Sequence, residues 1–326
     1  MENGKSRANV FTRHFPFRVD MSSEIEKAYE YCRSVTKFHA KSFYFAAKFL
    51  PVLKQRAVYP IYAFCRHVDD EIDEIGDGDQ AQAVLAVEKW KAKLEEVYFP
   101  AKVQSRVETK EETDQKAMID NQNLVFVAWR DLLETYKIPQ NLPLELVQGV
   151  LMDTTVKRYE TFDELYVYCY RVASTVGLMS SEILGYSDKI ALEYAEAMGI
   201  AMQLTNILRD VKEDASIGRI YLPQEDLRKF GVSEDQIFAC RIDDNFIRLM
   251  KFEIERARSF YERGERGIGL LEKDSRFTVL LASRVYSKIL EQIERQRYDV
   301  FARRAHTSKT QKFISIPKIW LEANRL

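Results

Sequence analysis

One short segment carries closely spaced acidic side chains beside an arginine. Residues 59–74 read YPIYAFCRHVDDEIDE. At 100° per residue, four helical side chains there fall within roughly 60° of one another: Tyr62, Arg66, Asp69 and Asp73. Asp70 lies at the edge of the same face. Neighbouring carboxylates repel each other, and a divalent cation such as Mg²⁺ relieves that repulsion. The segment therefore predicts a metal-binding face, with a solvated acidic surface as the alternative interpretation.

A second segment places oxygen ligands along one helix face. Residues 201–214 read AMQLTNILRDVKED. Spacings of three and four residues align four polar side chains within about 80°: Gln203, Asn206, Asp210 and Asp214. Leu204, Leu208 and Val211 form a separate apolar stripe. A narrow face of amides and acids between apolar residues suits the lining of a cavity better than a wet surface.

Two such faces in one chain indicate a particular chemistry. Two helices that meet across a cleft would each present aspartates to Mg²⁺, while Arg66 and Arg209 bind phosphate oxygens. Metal ions and arginines together neutralise a leaving diphosphate, and an apolar pocket keeps the resulting carbocation away from water. The residues therefore predict the ionisation of an allylic diphosphate.

Long helices have to carry these faces, and the composition favours them. Only 12 of the 326 residues are glycine and 8 are proline, against roughly 12 % for the two together in ordinary proteins. That scarcity disfavours sheet-rich folds, which use both residues in turns. The polar segment 101–114 reads as a solvated loop or a short exposed helix. The apolar periodicity predicts helices over 22–40, 53–74, 80–99, 115–137, 142–158, 162–184, 189–214, 242–264 and 276–297. With no repeat and no boundary between them, we predict a single all-α domain.

Charge and cysteine content exclude several other classes of protein. With 49 basic and 50 acidic residues the net charge is −1, which leaves no footprint for nucleic acid. The four cysteines lie far apart without a CxxC spacing, so neither a zinc site nor a disulfide framework is expected. We find no secretory signal and no apolar run of roughly 18 residues, and the segment 311–326 is too short and charged to span a bilayer. We expect a cytoplasmic protein, with peripheral contact at a membrane left open.

Four blocks of this chain stand out by their order, spacing and content. They read KSFYFAAKFLP (41–51), YAFCRHVDDEID (62–73), YCYRVASTVGLM (168–179) and QLTNILRDVKEDASIGRIYLP (203–223). Together they resemble the squalene/phytoene synthase family. The closing segment ASRVYSKILEQIERQRYDVFARRA (282–305) looks most like bacterial and plant-type phytoene synthases. The likeness covers a synthase domain over residues 25–305, between an N-terminal extension (1–24) and a C-terminal tail (306–326).

The resemblance implies an all-α isoprenoid synthase fold with a central cavity and a head-to-head prenyltransferase activity. In that family one prenyl diphosphate ionises, its C1 is attacked by the double bond of a second, and a cyclopropylcarbinyl diphosphate precedes the final hydrocarbon. Carried onto this sequence, the ligands of Mg²⁺, or of Mn²⁺ in its place, are Asp69, Asp70, Asp73, Asn206, Asp210 and Asp214. The implied substrate-binding residues are Ser42, Phe43, Arg66, Gln203, Asn206 and Arg209. The implied catalytic residues are Asp69, Asp73, Asp210 and Asp214, with Tyr62, Tyr168 and Tyr221 near the diphosphates and the cation.

The product depends on the length of the prenyl diphosphate. Small Ala46 and Ala47 leave room for a long tail, which favours phytoene from two geranylgeranyl diphosphates. Ser174 stands where many phytoene synthases have glycine, and serine also occurs there in relatives that make presqualene diphosphate. The alternative is therefore a farnesyl-diphosphate enzyme that makes dehydrosqualene, presqualene diphosphate or, with NADPH, squalene. A non-catalytic assembly factor of this family would have lost the aspartates, which this chain retains. Chain-elongating prenyltransferases and terpene cyclases lack the NILRD block.

Overall fold

Long amphipathic helices account for most of the structure, a computed structural model that describes residues 17–75, 80–100 and 121–326. The helices are α1 (Phe17–His39), α2 (Lys41–Ala47), α3 (Val52–Ile75), α4 (Gln80–Tyr98), α5 (Asn121–Thr135), α6 (Asn141–Thr155), α7 (Phe162–Cys169), α8 (Thr175–Leu184), α9 (Ala191–Arg209), α10 (Val211–Ser216), α11 (Gln224–Phe230), α12 (Glu234–Phe238), α13 (Asp244–Glu265), α14 (Lys273–Arg295) and α15 (Lys309–Ala323). No β-strand forms among the residues described; two isolated bridges pair Arg158 with Ile220 and Tyr186 with Leu271. The all-α fold class is confirmed.

Two of the predicted long helices are interrupted at positions that matter for the site. The predicted helix 162–184 contains a π-helical turn, Tyr170–Ser174, between α7 and α8. The predicted helix 189–214 breaks at Asp210, whose φ of −105° and ψ of 16° separate α9 from α10. The apolar pattern continues through both positions, so periodicity alone does not reveal either break.

Several shorter elements were not predicted from periodicity. They are α2, α11, α12 and α15, of which the first three have seven residues or fewer. Helix α15 lies within the predicted tail, and its Ile319 and Ala323 pack with Leu281 and Val285 of α14. The tail therefore contributes to the folded body. The predicted polar segment 101–114 lies outside the described residues.

The apolar side chains form two large clusters, and the π-helical turn lies at their junction. The first cluster draws on α1, α3, α4, α5, α6 and α8, and the second on α7, α9, α11, α13 and α14. Tyr170 of the π-helical turn packs against both. Helix α8 contacts both α3 and α9. The two helices that carry most of the predicted aspartate faces are thus both packed against α8.

Two glycines permit the close packing around this junction. A Cβ on Gly149 of α6 would lie 2.6 Å from Cβ of Arg171, and a Cβ on Gly199 of α9 would lie 2.4 Å from Cα of Ser174. Contacts that short do not occur between real atoms, so only glycine lets α6 and α9 approach the π-helical turn this closely.

Candidate active site

The first aspartate group lies near the C-terminal end of α3. Arg66 Nη1 donates to Asp69 Oδ2 at 3.2 Å, and Arg66 Nη2 pairs with Asp70 Oδ1 one helical turn further on. The side chains of Asp69 and Asp70 are 44 % and 38 % exposed, so solvent reaches both carboxylates. The backbone of Asp73 continues α3, whereas its side chain lies outside the part that the structure describes. One arginine therefore serves two carboxylates.

The second group centres on Asp210, at the break between α9 and α10. Arg209 donates to it through Nε at 2.7 Å and Nη2 at 2.5 Å, and Arg304 donates through Nε at 2.7 Å and Nη2 at 2.8 Å. Burial alone would raise the pKa of Asp210, but the hydrogen bonds from the two guanidinium groups outweigh it and hold the pKa below its usual value. Here two arginines serve one carboxylate.

A hydrogen-bonded chain extends this group along the polar face of α9. Asn206 Nδ2 donates to Gln203 Oε1 at 3.0 Å, and the hydroxyl of Tyr286 on α14 donates to Asn206 Oδ1. Arg209 Nη1 in turn donates to the Tyr286 hydroxyl at 3.3 Å. The predicted residues Gln203, Asn206 and Arg209 are therefore linked, with Tyr286 as an additional member.

Asp214 lies one turn beyond Asp210 and faces a different environment. It lines a small cavity together with Arg219 and Tyr221. Burial, followed by the negative charges of Asp210 and Asp153, raises the pKa of Asp214 to about 7. The negative charge of Asp214 is thus balanced by fewer positive groups than that of Asp210.

Three tyrosine rings and a buried carboxylate lie beside the second group. The rings of Tyr168 and Tyr221 stack at 5.2 Å, and Tyr159 lies 5.5 Å from the first and 6.0 Å from the second. Tyr168 and Tyr221 donate their hydroxyl hydrogens to the same side chain, Asp153, at 3.1 Å and 2.6 Å. The two predicted tyrosines thus belong to one unit, which we call the tyrosine stack (Tyr159, Tyr168, Tyr221).

Tyr62 lies on α3, one helical turn before Arg66, and packs against α2. Its ring stacks on Phe43 of α2 at 5.9 Å, beside the half-buried Ser42. Burial raises the pKa of Tyr62 to about 12, and the nearby charges of Asp69 and Tyr286 add to that effect. Tyr62 thus belongs to the part of α3 that carries Arg66 and Asp69. Together with the tyrosine stack, the two aspartate groups make up the region predicted to hold the site.

The arginines separate the carboxylates within this region. Among the side chains described, no three acidic, histidine or cysteine residues gather closely enough to enclose one metal ion. Arg66 lies against Asp69 and Asp70, and two guanidinium groups cover Asp210. The six-residue ligand set remains a prediction.

Sequence reasoning missed three participants, each for an identifiable reason. Tyr286 and Arg304 both lie in the closing segment 282–305, which carried the family likeness, but roles were assigned only to residues within the four blocks before it. Asp153 lies outside every block, and no neighbouring motif marks it. The family likeness of the closing segment could therefore have indicated Tyr286 and Arg304, but not Asp153.

The residues thought to bear on product choice are buried. Ser174 is fully buried and its Oγ donates to the backbone carbonyl of Glu196 at 2.7 Å, so its side chain is engaged with α9. Ala46 and Ala47 are also buried, and Ala47 belongs to the first apolar cluster. Ser174 thus has a packing role that accounts for its presence.

The all-α architecture is that of the isoprenoid synthase class. A family model described as squalene/phytoene synthase matches residues 36–311. The chain therefore belongs to the squalene/phytoene synthase family, whose members are prenyltransferases.

Several characterised proteins are similar over nearly the whole chain. The 15-cis-phytoene synthase of Synechocystis sp. is 40 % identical and covers 93 % of this chain and 88 % of its own length. The 15-cis-phytoene synthase of Synechococcus elongatus is 37 % identical and covers 93 % and 96 %. Among solved structures, a dehydrosqualene synthase with bound ligand superposes with a TM-score of 0.80 at 29 % identity, over 94 % of this chain and 100 % of that one. A squalene synthase from Alicyclobacillus acidocaldarius gives 0.70 at 27 % identity, over 85 % and 98 %.

Within the described residues, no helix combines the length and apolar character needed to cross a bilayer.

Proposed function

We propose that this protein condenses two molecules of geranylgeranyl diphosphate head to head into phytoene, through a cyclopropylcarbinyl diphosphate and with release of pyrophosphate. The observation that carries the proposal is the identity of 40 % and 37 % to two 15-cis-phytoene synthases over 93 % of the chain. A third relative, phytoene synthase 2 of Solanum lycopersicum, is 38 % identical over 90 % of the chain. The proposal extends the substrate and product of those relatives to this chain.

The arginines are suited to holding the diphosphate as it leaves. Arg66 and Arg209 lie on the two aspartate helices, and Arg304 reaches the same region from the segment after α14. A guanidinium group binds phosphate oxygens with the same two-pronged geometry that it uses for a carboxylate. These three side chains would therefore orient the diphosphate and stabilise its developing charge.

The oxygen donors of this region fit Mg²⁺. Carboxylate oxygens are its preferred protein ligands, and Asp69, Asp70, Asp73, Asp210 and Asp214 supply them. Burial, and after it the negative charges of Asp210 and Asp153, raise the pKa of Asp214 to about 7, and a divalent cation would stabilise its ionised form. When bound, Mg²⁺ would act as a Lewis acid that neutralises the departing diphosphate.

Aromatic side chains would protect the carbocation that remains. Tyr62 stacks on Phe43 beside the first aspartate group, and Tyr168 stacks on Tyr221 beside the second. Ring faces attract a cation without the reactivity of a strong nucleophile. The burial of Tyr168 and Tyr221 also excludes the water that would quench the cation.

A farnesyl-diphosphate enzyme is the second candidate. It is favoured by the likeness to the solved dehydrosqualene synthase, at a TM-score of 0.80 and 29 % identity. Such an enzyme would give dehydrosqualene or, with a hydride from NADPH, squalene. The higher identity to the phytoene synthases places this candidate second.

Product analysis tests the proposal directly. Purified protein with Mg²⁺ receives geranylgeranyl or farnesyl diphosphate, with and without NADPH, and the hydrocarbons are extracted and identified. We expect phytoene from the longer substrate and no effect of NADPH. Squalene from farnesyl diphosphate that depends on NADPH would overturn the proposal. Lipid vesicles included in parallel would show whether a cytoplasmic enzyme docks on a membrane to release its insoluble product.

A further inference from the structure

Asp153 is a buried carboxylate that no sequence block includes. It lies near the C-terminal end of α6, and its relative exposure is 9 %. One carboxylate oxygen accepts from the Tyr221 hydroxyl at 2.6 Å and the other from the Tyr168 hydroxyl at 3.1 Å. A single side chain thus determines where two tyrosine hydroxyls point.

Specific packing brings Asp153 to this position. Gly149, one turn earlier on α6, lets that helix press against Arg171 of the π-helical turn, as the 2.6 Å Cβ separation requires. Arg171 Nε also donates to Glu145 Oε2 of α6 at 2.9 Å. The end of α6 is therefore fixed against the end of α7, where Tyr168 lies. The hydrogen-bond distances from Asp153 to Tyr168 and Tyr221 are therefore set by the packing of α6 against the π-helical turn and α7.

Packing alone does not explain a carboxylate at this place. Removing an ionised group from water is unfavourable, and an amide would satisfy hydroxyl partners without a charge. An aspartate differs from asparagine because both of its oxygens accept, so both hydroxyls donate and both remain oriented the same way. Its negative charge also increases the electron density of the two rings and attracts a nearby cation.

The location of these rings connects them to the reaction. Tyr221 and Asp214 line the same small cavity. The tyrosine stack and the second aspartate group are therefore neighbours. Under the proposed function, the diphosphate leaves and the carbocation forms beside that group.

We propose that Asp153 is a positioning residue of the prenyl-transfer reaction, which orients the hydroxyls of Tyr168 and Tyr221 and keeps their rings stacked and polarised toward the carbocation. This inference rests on the proposed function, because it needs a cationic intermediate in the site. Asp153 acts through the two tyrosines and makes no contact with the substrate itself.

A double-mutant cycle in the full-length enzyme tests this role. The variants are Asp153→Asn, Tyr168→Phe and Tyr221→Phe, with each tyrosine change also made in the Asp153→Asn background. Steady-state kcat and KM are measured with the prenyl diphosphate that the wild type turns over. We expect Asp153→Asn to lower kcat by about 10- to 100-fold with KM within about threefold. Loss of either hydroxyl in that background should change kcat by less than about twofold, because the two residues act as one unit.

A matched pair elsewhere in the fold provides the control. The Tyr29 hydroxyl donates to Asp131 Oδ2 at 2.8 Å, between α1 and α5, and Tyr29 belongs to the first apolar cluster whereas the tyrosine stack belongs to the second. Asp131→Asn and Tyr29→Phe remove the same kind of hydrogen bond, so they should lower the melting temperature without changing kcat. If Asp153→Asn did likewise, with wild-type kcat, its role would be structural and the proposal would be wrong.

Two further outcomes are decisive. Independent, multiplicative effects of Asp153→Asn and the tyrosine changes on kcat would contradict positioning. If Asp153→Asn does not fold, the Tyr168→Phe and Tyr221→Phe variants and their combination take its place, and a combined variant with wild-type kcat would contradict the proposal. The product of the wild-type enzyme shows separately which prenyl diphosphate the enzyme uses. If that substrate is farnesyl diphosphate, the proposed function is refuted, but the double-mutant cycle can still be measured with it.

Discussion

A buried acid in α13 gives the protein a pH-dependent stability that one substitution should remove. Glu253 is 2 % exposed and Asp226 of α11 is 3 % exposed, and a single guanidinium, Arg256, donates to both. Arg256 also covers the ring of Phe162 at the start of α7, at 4.2 Å. The cluster therefore connects the helix that leads to Tyr168 with the segment that follows Tyr221.

The direction of the effect follows from the charge balance of this cluster. Burial raises the pKa of Glu253, Arg256 opposes that effect, and the charge of Asp226 adds to it, which leaves the pKa at about 8 against an ordinary 4.5. Because the folded pKa is the higher one, Glu253 stabilises the fold below its unfolded pKa, and this stability is lost as the pH rises toward 8. Each pH unit in that window lowers the free energy of unfolding by about 1.4 kcal/mol. Between about pH 5.5 and about pH 7.5 the total is about 3 kcal/mol.

Glu253→Gln removes this titration while leaving a side chain of the same size. We expect the free energy of unfolding of the variant, relative to the wild type, to increase by about 1.4 kcal/mol per pH unit across the window. Urea unfolding followed by far-ultraviolet circular dichroism at about pH 5.5, 6.5 and 7.5 measures it. Asp226→Asn is the companion variant, since Arg256 then serves Glu253 alone and the transition should move to lower pH. Parallel pH profiles for the wild type and Glu253→Gln would refute the reasoning.

Four more substitutions test the site and its packing. Asp69→Ala and Asp210→Ala should each lower pyrophosphate release by about 100-fold or more with nearly unchanged helical content by circular dichroism, and near wild-type turnover in both would contradict the assigned site. Ser174→Gly should lower the free energy of unfolding by about 1 to 2 kcal/mol, because it loses the hydrogen bond to α9 and adds a glycine, yet chromatography should find the same hydrocarbon product; a new product would assign Ser174 a role in specificity. Gly199→Ala should lower the free energy of unfolding by about 1 to 3 kcal/mol in urea, because its Cβ would lie 2.4 Å from Cα of Ser174, and an unchanged midpoint would contradict that contact.

The sequence was sufficient for the helices because their apolar periodicity is a local property. The predicted range 53–74 differs from α3 (Val52–Ile75) by one residue at each end. The break at Asp210 was not predicted, because the hydrogen bonds of Asp210 involve Arg304, which is 94 residues away in the chain. The residue pattern within 201–214 cannot indicate a partner that far away in the sequence.

The candidate site shows the same division between local and distant information. The face that carries Gln203 and Asn206 was predicted from spacing, and the structure links both side chains to Arg209 through hydrogen bonds. The residue that completes the link, Tyr286, lies on another helix and belongs to a chain with 17 tyrosines, most of which periodicity would assign to the core. Asp153 was likewise hidden, because its significance arises only when α6 and α7 pack together.

The distribution of arginines around the aspartates bears on how substrate and metal would bind under the proposed function. Arg66 is shared by two carboxylates, while Arg209 and Arg304 both serve Asp210. Each guanidinium can exchange a carboxylate for a phosphate group of similar geometry. A cation that takes the carboxylates therefore releases arginines for the diphosphate, and a diphosphate that takes the arginines releases carboxylates for the cation. Since each ligand frees the groups that the other needs, we expect metal and diphosphate to bind with positive cooperativity.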